Sequence, residues 1–463
     1  FHDRIAEGLQ EKFPEVVANT PELLASHLSG AERFSEAVDY WYDAGIRAVR
    51  ASVNTEAINH LEMGLKHLEV EASSPSRDKR ELELYAPYAL AMTALHGYGS
   101  PKTGTVYERA FALSRNVANP PELFQILYGL SVNRMVGSRY TEGLSIAKEL
   151  AIYADAKDDD AGCAMAHRTY GAGLTCVPDF EQAKIHCEKA LAAYKKVNSP
   201  KFTDEYGHDP KSLALVYLAW TRVHSGFPDQ GMMLAQEGVA HAETLDFPYG
   251  LAHVHFHAGT IFKDLNDPEQ TNLHAAALLK IGKKNHFHMM EGMGLVLSGW
   301  VDHRRMNPNA LSKMEQGFAK LNTTGSDLYA TMLRSAHIET LLDEDHYVEA
   351  KRGIEQGLSN GEKSGYRWHF PEFIRLKAVC NLGGKNPDLT EVEAMFFESL
   401  ELAEKHKDRF WQLRCANSLA KLMGERQERQ KGYDLLFPIY DWYTEGFDTP
   451  DLQAAKELLE QLR

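Results

Sequence analysis

Hydrophobic positions recur at helical spacing almost from the start of this chain. From Glu32 onward, Phe34, Val38, Trp41, Ala48 and Val49 fall on one stripe of a helix. Ala57, Ile58, Leu61, Leu65 and Leu68 form the stripe of a second helix, and the polar stretch Glu71-Ala-Ser-Ser-Pro-Ser-Arg77 then breaks the pattern as a loop. Beyond it a finer signature rides on the amphipathic pattern: Tyr140-x-x-Gly143-x-x-x-Ala147, an anchor followed by small residues. It returns as Phe180/Ala183/Cys187/Ala190, Pro228/Gly231/Ala235/Gly238, Asn307/Ala310/Met314/Gly317, Tyr347/Ala350/Ile354/Gly357 and Leu389/Val392/Phe396/Ser399. The steps between first positions are 40, 48, 79, 40 and 42 residues, with a degraded copy near Pro268 inside the longest, so the period is about 40. Small residues three and ten positions after an anchor share a helix face and let a neighbouring helix approach closely.

A period of this length means stacked helical hairpins. Gly137-Ser, Val177-Pro-Asp, Gly226-Phe-Pro-Asp, Asn266-Asp-Pro, Asn307-Pro-Asn and Asn386-Pro-Asp each stop one helix and offer a cap for the next. Asn19-Thr-Pro21-Glu is a helix start of the same kind, with Thr20 as N-cap. No segment sustains period-2 alternation with β-branched enrichment, so essentially no sheet is expected. The predicted fold is all-α, an α-solenoid wound as a right-handed superhelix of about ten hairpins. Residues 1–30 read as a lead-in or linker from an upstream domain, 31–70 as the first hairpin, 78–425 as the repeat array and 426–463 as capping helices. The 48-residue step reflects an insertion at 197–210, a candidate functional loop on one face of the stack.

Composition narrows the function without naming it. Fifty Lys+Arg against 65 Asp+Glu leave a net charge of −15, which argues against a nucleic-acid partner. Cys163, Cys176, Cys187, Cys380 and Cys415 form no C-x-x-C pair, and their odd number fits a reducing, cytoplasmic setting. No apolar run approaches the roughly 20 residues that span a bilayer, so no membrane partner is expected.

The search for chemistry returns little. Gly97-Tyr-Gly99-Ser-Pro-Lys102-Thr103-Gly104 has the wrong spacing for a phosphate-binding loop, because Pro101 stands where a glycine must precede the lysine. His253, His255 and His257, with His286 and His288 one helix later, invite a metal reading. They lack the glutamate of a zinc-protease motif and an evident third ligand, and are expected to line a polar surface. No catalytic residue, metal or cofactor is predicted, and the chain reads as non-catalytic.

The anchor pattern, aromatic then small, apolar and small at the third, seventh and tenth following positions, resembles the tetratricopeptide repeat. More specifically, the chain resembles the C-terminal repeat region of bacterial signalling proteins that join a STAND-type ATPase to a class III adenylate or guanylate cyclase. The resemblance is carried by Arg4-Ile-Ala-Glu7, Phe13-Pro14, Pro21-Glu-Leu-Leu-Ala25, Ala37-Val-Asp-Tyr-Trp41 with Ala44-Gly45, and Glu56-Ala-Ile with His60-Leu61. Tyr206-Gly-His-Asp-Pro210, Glu372 with Arg375-Leu-Lys377, and Tyr440 through Thr444-Glu-Gly-Phe-Asp-Thr-Pro-Asp-Leu452 complete it. It implies an upstream switch and output domain controlled by this arm, with a protein or peptide partner, or those upstream domains, bound to it. A small-molecule sensor is the alternative it implies, and homo-oligomerisation stays open.

In such stacks the first helix of each hairpin lines the concave surface. Arg and aromatic residues on these helices are the expected contacts, since both are favoured interface anchors. They are Tyr128, Arg134, Arg168, Tyr170, Tyr217, Trp220, Arg222, His253, Trp300 and Arg334.

Overall fold

A computed structural model describes all residues except 52, 119, 158, 198–201, 203–207 and 326. Most of the 197–210 insertion therefore lies outside the described residues. Among those described there are 24 helices and no strands, the arrangement of an all-α solenoid. No described helix is long and apolar enough to cross a membrane. The chain divides into two compact units, Phe1–Gly137 and Ser138–Arg463.

Unit 1 opens with three short helices, α1 (His2–Lys12), α2 (Pro14–Asn19) and α3 (Pro21–Gly30). Pro21 begins α3 as expected, but Thr20 does not cap it: its hydroxyl donates backwards to the Val16 carbonyl at 2.8 Å. The three helices pack Ala6, Leu24, Ala25 and Leu28 against Ala37 and Trp41 of α4 (Phe34–Arg50). Then follow α5 (Asn54–Leu68), α6 (Pro75–His96), α7 (Pro101–Ser114) and α8 (Leu123–Val136). The predicted loop at 71–77 is shorter than its composition suggests. Ser74 accepts the Arg77 N–H at 3.2 Å and Pro75 takes the first helical position, where its missing N–H costs nothing.

Unit 2 runs α9 (Tyr140–Lys157), α10 (Asp160–Cys176), α11 (Phe180–Tyr194), α12 (Pro210–His224), α13 (Pro228–Glu243) and α14 (Pro248–Asp264). It continues with α15 (Pro268–Asn285), α16 (His288–Arg304), α17 (Ala310–Asn322), α18 (Asp327–Asp343) and α19 (Tyr347–Ser364). The last helices are α20 (Phe370–Leu382), α21 (Leu389–Lys405), α22 (Arg409–Glu425), α23 (Arg429–Asp441) and α24 (Pro450–Leu462). Aspartates at three turn signals cap them: Asp179 accepts from Gln182 N, Asp267 from Gln270 N and Asp388 from Thr390 N, and Asp408 caps α22 likewise by accepting from Trp411 N.

Even- and odd-numbered helices of unit 2 have different surroundings. In α12, 13 of 15 residues are buried, and in α14, 13 of 17; in the partner helices α13 and α15 only 6 of 16 and 5 of 18 are. The odd helices are amphipathic and form the outer layer, with Gly231, Ala235 and Gly238 of α13 turned inward for close approach. The even helices form an inner row, each touching the next inner helix as well as its hairpin partner. Nearly all-round burial means something also covers their far side.

That cover is the other end of the same unit. Trp220 of α12 meets Trp368, just before α20, with ring centroids 4.1 Å apart, and Tyr140 of α9 meets Tyr366 at 6.0 Å. The chain after α23 folds back onto the start of α13. Glu445 accepts from the Gln230 backbone at 3.1 Å and its side chain at 3.0 Å, while Gly446 N donates to Asp229 at 3.0 Å. Unit 2 thus closes on itself across more than 200 residues of sequence.

Candidate binding surfaces

The closure of unit 2 decides where the sequence-predicted contact residues lie. His224 of α12 donates to the Asp408 carboxylate at 2.9 Å, with both side chains essentially without exposure. Asp408 also caps α22, so one carboxylate fixes both a helix start and the closure. Phe410, Trp411 and Trp368 surround the His224 imidazole at 5.1, 5.4 and 4.8 Å. This aromatic–histidine plug fills the inner face.

Seven of the ten predicted residues are buried: Tyr128, Arg134, Arg168, Tyr217, Trp220, His253 and Trp300. Tyr217, Trp220 and His253 gather around His257, at 4.7, 6.4 and 4.8 Å between rings, and the charge of Arg168 bears on both histidines. For His253, His255 and His257 the expected polar surface is therefore an interior, while His286 and His288 are exposed. Burial holds His253 neutral, down to about 3, and pushes His257 well below the usual histidine value, with Arg168 adding to both. The other predicted residues are separate. Tyr170 meets the His186 ring at 4.6 Å, Arg222 lies over Phe227 at 5.7 Å, and Trp300 carries Arg304 over its face at 5.1 Å. Arg334 lies over Phe318 at 5.5 Å and donates to Gln356 at 3.0 Å. In unit 1, Tyr128 packs edge-on to Tyr98 at 6.4 Å and Arg134 pairs with Glu108.

Beside the plug, the inner helices line a polar cleft of about 230 Å³ formed by Lys263, Arg304, Glu339, Arg375 and Arg414 with Asp451 of α24. Arg375 grips the wholly buried Glu372 through Nε and Nη2, both at 2.7 Å. Burial would raise Glu372, but the charges of Arg375 and Arg414 overcome it and hold the carboxyl at about 2. Arg414 donates to Asp451 at 2.9 and 3.1 Å and to the Asp264 carbonyl at 2.7 Å, and lies over the rings of Phe410 and Trp411.

Unit 1 presents a different surface, an open groove of about 630 Å³. One wall is α4, through Tyr40, Tyr42, Asp43, Ile46, Arg47 and Arg50; the other is Gln10, Pro14, Val17, Ala18 and Pro21 from the three opening helices. Gln10 donates to the Tyr40 hydroxyl at 3.4 Å, and Arg47 donates to the Ala18 carbonyl, which fixes the spacing of the walls. The volume falls within the roughly 300–1,000 Å³ of ligand-binding clefts. None of these residues was among the predicted contacts. The signal was available: Tyr40, Asp43, Arg47 and Arg50 recur every three or four positions, off the apolar stripe of α4.

No family profile matches the chain, and no curated protein does. Among solved structures it is similar to a Rap protein complexed with Competence and Sporulation Factor, at 11% identity and TM-score 0.47, covering 92% of this chain and 99% of that one. It is similar to a monomeric IFIT1 mutant with m7Gppp-AAAA, at 12% identity and TM-score 0.43, over 96% of this chain and 90% of that one. It is also similar to yeast Tom70, at 12% identity and TM-score 0.34, over 100% and 96%. At these values the likeness carries no argument about what this chain binds. The fold itself is a solenoid of tetratricopeptide-like helical hairpins.

Proposed function

We propose that this chain is a non-catalytic regulatory arm that binds a protein or peptide partner through the groove of unit 1. The observation that carries this reading is the contrast in access. The groove exposes tyrosines and arginines along an open channel, whereas the inner face of unit 2 is filled by its own side chains. Arg47 and Arg50 against the single Asp43 favour an acidic group on the partner, beside an apolar one packed on Ile46, Val17 and Pro14. The motif resemblance supports the wider setting: an arm that holds or releases a STAND-type ATPase and a cyclase-type output domain. Five free thiols support a cytoplasmic location.

The test is recovery of partners on the immobilised chain, followed by native mass spectrometry, with Arg50→Glu and Ile46→Glu as comparisons. Both positions border the groove, so wild-type chain should capture a protein or peptide and the variants should lose it while keeping their helicity. Equal capture by wild type and variants would remove the groove from the reading. A second reading, a small-molecule sensor, is favoured by the smaller polar cleft of unit 2; a bound metabolite in place of a polypeptide would decide for it.

A further inference from the structure

The cleft of unit 2 has one carboxylate out of step with the rest. Lys263 stands in an ion pair with Asp264, while Arg375 hydrogen-bonds Glu372 and Arg414 hydrogen-bonds Asp451. Glu339 has no such partner: its Oε1 lies 3.6 Å from Arg375 Nη2 and 3.6 Å from Arg414 Nη1, with only 17% of the side chain exposed. Those separations exceed a hydrogen bond. Arg414 Nη1 in turn reaches Glu339 and Glu372 only at 3.6 Å each. At the rim, Arg304 stands half-buried with its nearest acid, Asp343, at 3.7 Å. The guanidinium groups of Arg304 and Arg414 therefore keep donor capacity directed at a cleft far larger than the ~30 Å³ share of one water.

Charge counting says what such a site accepts. Lys263, Arg304, Arg375 and Arg414 face Asp264, Glu339, Glu372 and Asp451, with Asp343 against Arg304 at the rim, so four cations meet five carboxylates and the cluster has no positive charge to spare. An anion entering this cleft makes it more negative, which is costly beside the buried Glu339 and Glu372 unless one acid takes up a proton. Glu339 is the acid that gives up least by doing so. Around it stand Lys263 from α14, Arg304 from α16, Glu372 and Arg375 from α20, Arg414 from α22 and Asp451 from α24. We propose that the cleft binds an oxyanion, carboxylate or phosphoryl, together with one proton that settles on Glu339. Burial already pushes Glu339 upward against the charge of Arg414, which lowers the cost of that proton.

The experiment is calorimetric titration of the whole chain with sulfate and with acetate, neither of which changes charge between about pH 6 and pH 8. Titrations in buffers of different ionisation enthalpy count the protons. At least one probe should bind with close to one proton taken up, tightening about tenfold per pH unit lowered. Sulfate alone would assign a phosphoryl ligand, and acetate alone a carboxylate. Glu339→Gln should bind the same probe with no proton uptake and no dependence on pH. Arg304→Gln, at the rim and outside the packed core, should weaken binding about tenfold and leave folding intact, which keeps the test decisive if Glu339→Gln does not fold. No binding of either probe near pH 6 by folded wild-type chain overturns the proposal, as does undiminished proton uptake in Glu339→Gln.

Discussion

Unit 1 and unit 2 are built from the same amphipathic hairpins and treat their inner faces in opposite ways. In unit 1 the tertiary hydrogen bonds join near neighbours, such as Arg80 to Ser35, 45 positions apart, and α4 keeps a polar face beside an open groove. In unit 2, His224 reaches Asp408 across 184 positions and Asp229 reaches Gly446 across 217. An ideal solenoid is stabilised by neighbour contacts alone and can fray repeat by repeat. Unit 2 has given that up for closure, so its ends are coupled, and a fault in the plug should be felt throughout the unit.

Acid should separate the two units most widely. Burial holds His186, His255, His274 and His337 down to about 4 and His253 and His369 to about 3; all six belong to unit 2. A histidine with its folded pKa below its unfolded value of about 6.5 binds fewer protons folded than unfolded between the two. Stability therefore rises with pH across that window and falls as pH drops through it, by up to about 1.4 kcal/mol per histidine per pH unit. Several such groups together rival a whole domain's roughly 5–15 kcal/mol, so unit 2 should unfold well before pH 4 is reached. In unit 1 burial lowers His67, while its inner face carries no comparable set. Hydrogen exchange between pH 7 and pH 4.5 should show unit 2 amides losing protection first; simultaneous loss in both units would break the comparison.

Next in size is the plug itself. Trp411 is wholly buried against Phe410, His224 and His369, and Trp411→Ala should cost unit 2 about 3–5 kcal/mol through lost packing and the cavity left behind. A nearest-neighbour stack would confine the loss to α22 and its flanks. A closed unit should transmit it to α12, and protection factors on α12 in the variant distinguish the two. Unaltered protection there would mean that the closure contributes contacts without coupling.

Much of this fold was readable in advance. Period, turn signals and small-residue anchors specify local structure, and Asp179, Asp267 and Asp388 cap helices where the turn chemistry puts them. The closure was not readable. Trp220 and Trp368 are 148 positions apart, and nothing in a 40-residue period says whether the inner row faces solvent or its own far end. Inner helices buried on both sides lose their one-sided pattern, and the aromatic and arginine positions that read as an exposed concave surface, Tyr217 and Trp220 among them, are its filling. The groove of unit 1 was overlooked for the opposite reason: Arg47 and Arg50 look like an ordinary solvated face until α1–α3 supply the second wall.

The smallest expected effect isolates the closure by comparing two glycines of positive φ. Gly97 in unit 1 has φ of +81° and no atom within 4 Å of where a Cβ would stand; Gly446 in unit 2 has φ of +76°, and its Cβ would lie 2.0 Å from Pro228 Cγ. Alanine pays backbone strain at either position, about 1–3 kcal/mol at Gly97, whose ψ of 160° lies in a region nearly confined to glycine. Only Gly446→Ala must also push the segment after α23 off the start of α13. Gly97→Ala should therefore confine its loss to the turn after α6, whereas Gly446→Ala should cost about 1–2 kcal/mol beyond the strain of its own turn and speed exchange at Gln230 and Gly231. Urea titration with hydrogen exchange on both variants separates the two. Unchanged exchange at Gln230 and Gly231 in Gly446→Ala would show that the return of the C-terminal segment adds nothing beyond its own turn, and the coupling of unit 2 would then rest on the His224–Asp408 plug alone.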